Sequence, residues 1–188
     1  LTEPQSTNLI TYSQDFNNWI DTGGASVIGN VSGVGGSADA FKFITDGGSS
    51  ARIYNSVSST GLSSYSVFAK KDTLDYIVLY ANDDSNGRVW FNLVNGTVGT
   101  EGSGASGSIE SYGNGWYRCI INFTSSNLVN VRIYSVNSDG AFNGTAGSTY
   151  IQYAQLEELP YATSYIPTSG GTATRLGETV TGAGDAST

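Results

Sequence analysis

Hydrophobic and polar residues alternate along most of the chain up to residue 157, which is the pattern of half-buried β-strands. Clusters of glycine, asparagine and serine separate the alternating segments, and no segment has a helical period. The strands predicted in this way cover about 26–31, 40–45, 51–57, 65–70, 76–82, 88–94, 109–112, 116–123, 129–136 and 149–155. The pattern predicts an all-β antiparallel β-sandwich of the jelly-roll type.

The segment 154–168 is predicted to close this sandwich. Alternation places Ile151, Tyr153 and Gln155 on one side of the last strand and Gln152, Ala154 and Leu156 on the other. Pro160 then stops strand pairing, because proline has no N–H to donate. The rest of the segment is expected to form an extended strap that holds the end of the domain.

The length and the terminal segments predict one domain over residues 8–168. Segment 1–7 is expected to be a linker that has neither a start methionine nor the features of a signal peptide. Segment 169–188, which is small and polar, is expected to be a second linker or strap. The chain is therefore expected to be part of a longer protein.

The clearest turn signal is Asn86-Gly87, which lies between two alternating runs and suits a tight hairpin. A slip of one residue in the second run would bury Arg88 and Asn92 and expose Phe91, so the register is well defined. Inward positions include Ile53, Ile77, Leu79, Phe91, Cys119, Val129 and Val131. Outward positions include Arg52, Tyr54, Tyr76, Tyr80, Arg88, Trp90, Asn92, Arg118, Arg132 and Tyr134.

A cluster of outward aromatic rings and arginines is typical of a binding surface. Flat rings stack on the C–H faces of sugars, and guanidinium forks match carboxylate or sulfate oxygens. Nine of the outward residues are therefore candidate carbohydrate-binding residues: Arg52, Tyr54, Tyr76, Tyr80, Arg88, Trp90, Asn92, Arg132 and Tyr134. Ordinary cross-strand pairs on a solvated face are the alternative, and alternation alone does not show that these strands share a sheet.

Charge and composition exclude several classes of function. The net charge of −8 and a pI of about 4.2 argue against a broad nucleic-acid surface and against attachment to an anionic membrane. The chain has no histidine, the usual general base and metal ligand, and Cys119 is predicted to lie in the core. The sequence therefore predicts a protein that is not an enzyme.

Three motifs resemble a known domain: 8–16 with Trp19, 113–119, and 154–157 with 162–168. The resemblance is to a jelly-roll domain of bacteriophage virion and tail-fibre-type proteins and of secreted bacterial polysaccharide-acting proteins. That domain is similar in turn to carbohydrate-binding modules of the galactose-binding-like type. The resemblance implies an extracellular or virion-surface location and further domains, often lectin-like, in the parent chain.

Many related sugar-binding modules carry a structural calcium between the opening loop and an aspartate of the last strand. Asp15 matches the opening position, but Gln152 and Tyr153 stand where the second acid is expected. Glu157, which is otherwise predicted to be a solvated strand end, is the candidate substitute. The resemblance therefore leaves a structural calcium open, with no cofactor assigned.

The leading hypothesis is a non-catalytic glycan-binding module for an acidic polysaccharide or cell-surface glycan. A structural or oligomerisation domain of a virion or fibre protein is the first alternative, with the aromatic face against a neighbouring chain in a homo-oligomer. A polysaccharide lyase that uses tyrosine, arginine and asparagine is the second. The ligand is expected either on the sheet face or at tips formed by loops 23–36 and 96–107.

Overall fold

The computed structural model describes residues 2–82, 87–142 and 144–178, which form two six-stranded antiparallel sheets and one short two-stranded sheet. One 3-10 turn, Phe16–Asn18, precedes the second strand. The strands are β1 Ser6–Asn8, β2 Ile20–Thr22, β3 Ala25–Val31, β4 Ala40–Thr45, β5 Arg52–Ser56, β6 Gly61–Lys71, β7 Tyr76–Asn82, β8 Arg88–Asn92, β9 Thr97–Glu101, β10 Ala105–Gly113, β11 Trp116–Ser125, β12 Asn130–Val136, β13 Gly147–Glu157 and β14 Ala173–Arg175. No helix among these residues is long and apolar enough to cross a membrane.

The strand order confirms the predicted jelly roll. The front sheet has the order β2-β5-β12-β7-β8-β9, and the back sheet has the order β10-β11-β6-β13-β4-β3. Successive strands lie in opposite sheets from β4 to β7, and again from β11 to β13. The β7–β8 hairpin has the predicted pairing, although residues 83–86, with the predicted Asn86 turn, lie outside the described residues.

The segment 96–107 is not the loose loop that its glycines predicted. It contains β9 and the start of β10, which extend the front and back sheets at one edge. Gly107 is needed because a Cβ at this position would lie 2.7 Å from Cγ1 of Val89. Here glycine permits close contact between strands of the two sheets instead of breaking a strand.

The predicted alternation of β13 is wrong after Gln152, because the strand contains a β-bulge. Tyr153 has a φ of 51°, and the register with β6 shifts between Gln152 and Gln155. The extra residue changes the faces, so Ala154 joins Ile151 in the core while Gln155 lies on the outer face.

The core lies between the two sheets and contains the predicted inward residues of β5, β7, β8, β11 and β12. Val129 is an exception, since it precedes β12 and is 47% exposed. Cys119 is fully buried, and burial raises the pKa of its thiol.

We expect Cys119 to be inert in the folded protein, because reaction requires a solvent-accessible thiolate. A chromogenic disulfide reagent at pH 8 should give no signal from the native protein and one thiol per chain in concentrated urea. Stoichiometric labelling of the native protein within minutes would contradict this position in the core.

The strap, residues 158–168, lies over the outer face of the back sheet. Asn8 anchors it, because its amide nitrogen donates to the carbonyls of Ala154 and Ile166 at 3.1 and 2.8 Å. Thr168 donates to the Ile10 carbonyl at 2.5 Å. These bonds confirm the predicted strap.

The two segments predicted to be linkers meet at the same side of the molecule. Within their described residues, β1 pairs with β14, and the pair brings Thr7 opposite Thr174. Arg175 forms an ion pair of 2.6 Å with Glu3. The division into linkers and domain stays a prediction. The strap and these termini together cover part of the back sheet.

Candidate functional site

The nine candidate carbohydrate-binding residues all lie on the outer face of the front sheet. Their strands, β5, β12, β7 and β8, are neighbours in that order and belong to one sheet. Register places Tyr54, Arg132, Tyr80 and Arg88 side by side across four strands. We call these four residues the arginine row.

A second row is formed by Tyr134, Val78 and Trp90, and it is not open to solvent. Phe142 lies over this row, with ring centroids 4.9 Å from both Trp90 and Tyr134. Trp90 is only 2% exposed and Tyr134 only 4%. The prediction that these rings, together with the 8% exposed Tyr80, form a solvent-facing platform is therefore wrong.

Phe142 belongs to the loop after β12, residues 137–142 and 144–146, and other residues of this loop bind the front sheet. The indole N–H of Trp90 donates to the carbonyl of Ala141 at 2.7 Å. Asp139 accepts from the backbone N–H of Thr100 at 2.7 Å and from its hydroxyl at 3.1 Å. The only sequence signal for this cover is a lone aromatic residue in a segment rich in glycine, asparagine and alanine.

The arginine row lies beside this covered cluster and contains two guanidinium groups. The guanidinium of Arg132 is 5.0 Å from the Tyr80 ring centroid, and its Nε donates to Oδ1 of Asn130 at 2.7 Å. The guanidinium of Arg88 lies 5.9 Å from the same ring and 5.4 Å from that of Phe142. Tyr54 and both arginines are half-buried, so their stems are packed while part of each side chain remains in water.

The front face carries Arg52, Arg88 and Arg132 although the chain as a whole is acidic. Among the described residues, the ion pairs are Lys42–Asp72, Lys71–Asp75 and Arg175–Glu3. None of them involves Arg52 or Arg132. Both therefore retain charge that a carboxylate or sulfate from outside the chain can match.

Two further candidate residues, Tyr76 and Asn92, lie opposite each other at the far end of the face. The Asn92 amide nitrogen donates to the Tyr76 hydroxyl at 2.9 Å. The Asn92 carbonyl oxygen accepts from the backbone N–H groups of Val94 and Asn95 at 2.8 and 3.1 Å. Asn92 therefore stabilises the turn after β8, and its side chain is engaged within the protein.

Arg118 does not join the other arginines, because it lies on the outer face of the back sheet. It is 4% exposed, donates from Nη2 to the Ser66 hydroxyl at 3.0 Å, and lies over the Phe68 ring at 5.5 Å. Alternation distinguishes inward from outward positions, but it does not distinguish the two outer faces of a sandwich.

The candidate calcium ligands do not fit a shared calcium site. Asp15 caps the 3-10 turn and accepts from the side chains of Asn17 and Asn18 at 2.9 and 2.8 Å. Glu157 is fully buried and not a solvated strand end as predicted; its four hydrogen bonds come from Ser6, Gln155 and Thr163. The described residues contain no group of three or more acidic, cysteine or histidine side chains arranged for a metal.

Comparison with known proteins finds similar structures only. No protein-family model and no curated protein matches the chain. The CBM22-1–GH10 modules of Clostridium thermocellum xylanase Xyn10B, complexed with xylohexaose, are 11% identical with a TM-score of 0.49, over 86% of this chain and 30% of that one. The CBM22-1 xylan-binding domain of Paenibacillus barcinonensis Xyn10C is 10% identical with a TM-score of 0.46, over 84% and 94%.

A phage protein is also among the similar structures. The enzymatically active domain of bacteriophage CBA120 tailspike protein 4 is 12% identical with a TM-score of 0.42, over 79% of this chain and 21% of that one.

Proposed function

We propose that this chain is a non-catalytic glycan-binding module that binds acidic polysaccharides along the arginine row. The observation that carries the proposal is the position of the half-buried Arg132 and Arg88, which flank Tyr80 on the outer face of the front sheet. Arg52 adds a third guanidinium to the same face, two residues before Tyr54 in β5. The back sheet is partly covered by the strap and the paired termini.

The row suits an extended polymer with repeated negative charges. Arg132 and Arg88 belong to strands separated by one other strand, so their backbones lie roughly 10 Å apart. Each guanidinium can form paired hydrogen bonds with a carboxylate or sulfate, while the half-buried Tyr54 offers its hydroxyl and ring edge. Successive acidic sugars therefore have matching groups along the row.

The proposed setting follows from the sequence resemblance. The module acts outside the cell or on a virion surface, within a longer chain, and it brings the parent protein to a polysaccharide. No histidine is available for general base catalysis, and the row itself contains guanidinium and phenol groups but no carboxylate. Its proposed role is therefore adhesion.

Replacing Arg132 by alanine should weaken binding of polygalacturonate and alginate oligosaccharides roughly ten- to hundredfold. This range corresponds to the loss of one hydrogen bond to a charged group, which contributes about 1.5–3 kcal/mol. Arg132→Lys should recover only part of the loss, because lysine keeps the charge without the fork. Isothermal titration calorimetry at two salt concentrations measures both effects, and binding should weaken with salt.

Lys70→Ala is the matched control, since it removes one positive charge from the opposite outer face. Equal losses in Arg132→Ala and Lys70→Ala would mean that only net charge matters and would contradict a site at the row. If uronate and sulfated polymers do not bind at all, but Arg132→Ala reduces oligomer size in light scattering, the structural alternative replaces the proposal.

A further inference from the structure

A second groove lies on the opposite side of the sandwich, on the outer face of the back sheet. It has a volume of about 430 Å³, within the range of about 300–1,000 Å³ that is usual for small-molecule sites. Leu62 of β6 and Asn122 and Thr124 of β11 form its floor. Ser106 of the edge strand β10 lies on one side, and Pro160 of the strap lies on the other.

The local fold explains why the groove exists. β13 pairs with β6 only as far as Glu157–Ser64, and the strap with Pro160 follows, whereas β6 and β11 continue in register to the pairs Leu62–Thr124 and Gly61–Ser125. The back sheet therefore extends beyond its cover at this end. Leu62 is left 57% exposed.

The groove contains a polar group that the protein does not satisfy. Among the described residues, neither Oδ1 of Asn122 nor the hydroxyl of its cross-strand neighbour Ser64 has a hydrogen-bond partner, although both oxygens are buried. Ser64 is only 1% exposed. A buried polar atom without a partner costs stability, and such atoms are rare in native proteins.

The side chains that line the groove indicate which kind of ligand fits it. Its amide and the hydroxyls of Ser106 and Thr124 both donate and accept hydrogen bonds, whereas Leu62 and Pro160 offer apolar surface. No charged side chain is found among the described residues that line the groove. This combination suits an uncharged ligand that has hydroxyl groups on its edge and C–H groups on its faces.

We propose that this groove is a second carbohydrate site, specific for neutral sugars and separate from the arginine row. The hydroxyls of the sugar would exchange hydrogen bonds with the Asn122 amide group and with the hydroxyls of Ser106 and Thr124, and the C–H face would lie on Leu62 and Pro160. Since the two sites lie on opposite outer faces, one module can hold two polysaccharide chains, one acidic and one neutral. The groove does not depend on the function proposed for the front face.

The test is an NMR titration of the isotope-labelled protein with neutral hexasaccharides of β-1,4-linked xylose, glucose, mannose and galactose. At least one should shift the amide signals of Asn122, Ser106 and Thr124 at millimolar concentrations, with no shift at Arg132. Asn122→Ala should raise the Kd at least tenfold. This variant should fold normally, because it removes an acceptor that has no partner.

Leu62→Ala is a second variant, with Leu176→Ala as its matched control because both leucines are exposed, at 57% and 75%. Leu62→Ala should weaken neutral-sugar binding several-fold, and Leu176→Ala should leave it unchanged. No shift with any of the four hexasaccharides, or shifts that persist unchanged in Asn122→Ala, would overturn the proposal. Loss of acidic-glycan binding in Arg132→Ala, with neutral binding intact, would show that the two sites act separately.

Discussion

Replacing Trp90 by alanine will lower the free energy of unfolding by about 3–5 kcal/mol, the usual cost of removing a buried tryptophan. Trp90 is 2% exposed, contacts Phe142 at 4.9 Å, and donates to the Ala141 carbonyl at 2.7 Å. Alanine would leave a cavity beneath Phe142 and an unpaired carbonyl. Urea unfolding followed by circular dichroism measures the change.

Trp90→Phe is the matched variant, because it keeps an aromatic ring and removes mainly the indole hydrogen bond. Its loss should be smaller, about 1–2 kcal/mol. If Trp90→Ala instead keeps wild-type stability and selectively loses sugar binding, Trp90 is an exposed stacking residue. The covering position of Phe142 would then be wrong.

Replacing Glu157 by alanine should lower the free energy of unfolding by about 3–5 kcal/mol, because several buried donors lose a charged acceptor at once. The Ser6 hydroxyl and the Thr163 hydroxyl each donate to Oε1 at 2.5 Å. The Gln155 amide and the Thr163 backbone N–H donate to Oε2 at 2.7 and 3.0 Å. This carboxylate thereby joins β1, the end of β13 and the strap.

Glu158 provides the control for this experiment. It follows Glu157 directly but is exposed, and its carboxylate accepts only from the Thr60 backbone N–H at 3.2 Å among the described bonds. Glu158→Ala should therefore change stability by less than about 1 kcal/mol. Equal effects of the two substitutions in urea unfolding would refute the buried network.

The jelly roll and the faces of most strands could be predicted because period-2 alternation is a direct consequence of strand geometry. Arg132 and Tyr80 illustrate this, since both lie on the outer face as expected. Trp90 lies on that face too, but its burial depends on Phe142, which is distant in sequence and belongs to a loop. Alternation indicates on which side of a sheet a residue lies, but it does not indicate whether another segment of the chain covers that side.

Two other differences have local physical causes that alternation does not encode. The positive φ of Tyr153 inserts a bulge in β13, and a non-glycine residue gives no sequence signal for that conformation. Glu157 is a charged residue at a strand end, where solvent exposure is the usual expectation. Its burial depends on donors from both ends of the chain, Ser6 and Thr163, which only the folded topology brings together.

The most direct test of the central claim is to follow the arginine Nε–Hε signals of the isotope-labelled protein during titration with polygalacturonate and alginate oligosaccharides. Binding at the arginine row predicts that the signals of Arg132 and Arg88 shift with saturation, that Arg175 does not move, and that added salt reverses the shifts. Saturable binding that moves only signals of the back sheet would contradict the account, as would no shift at millimolar ligand.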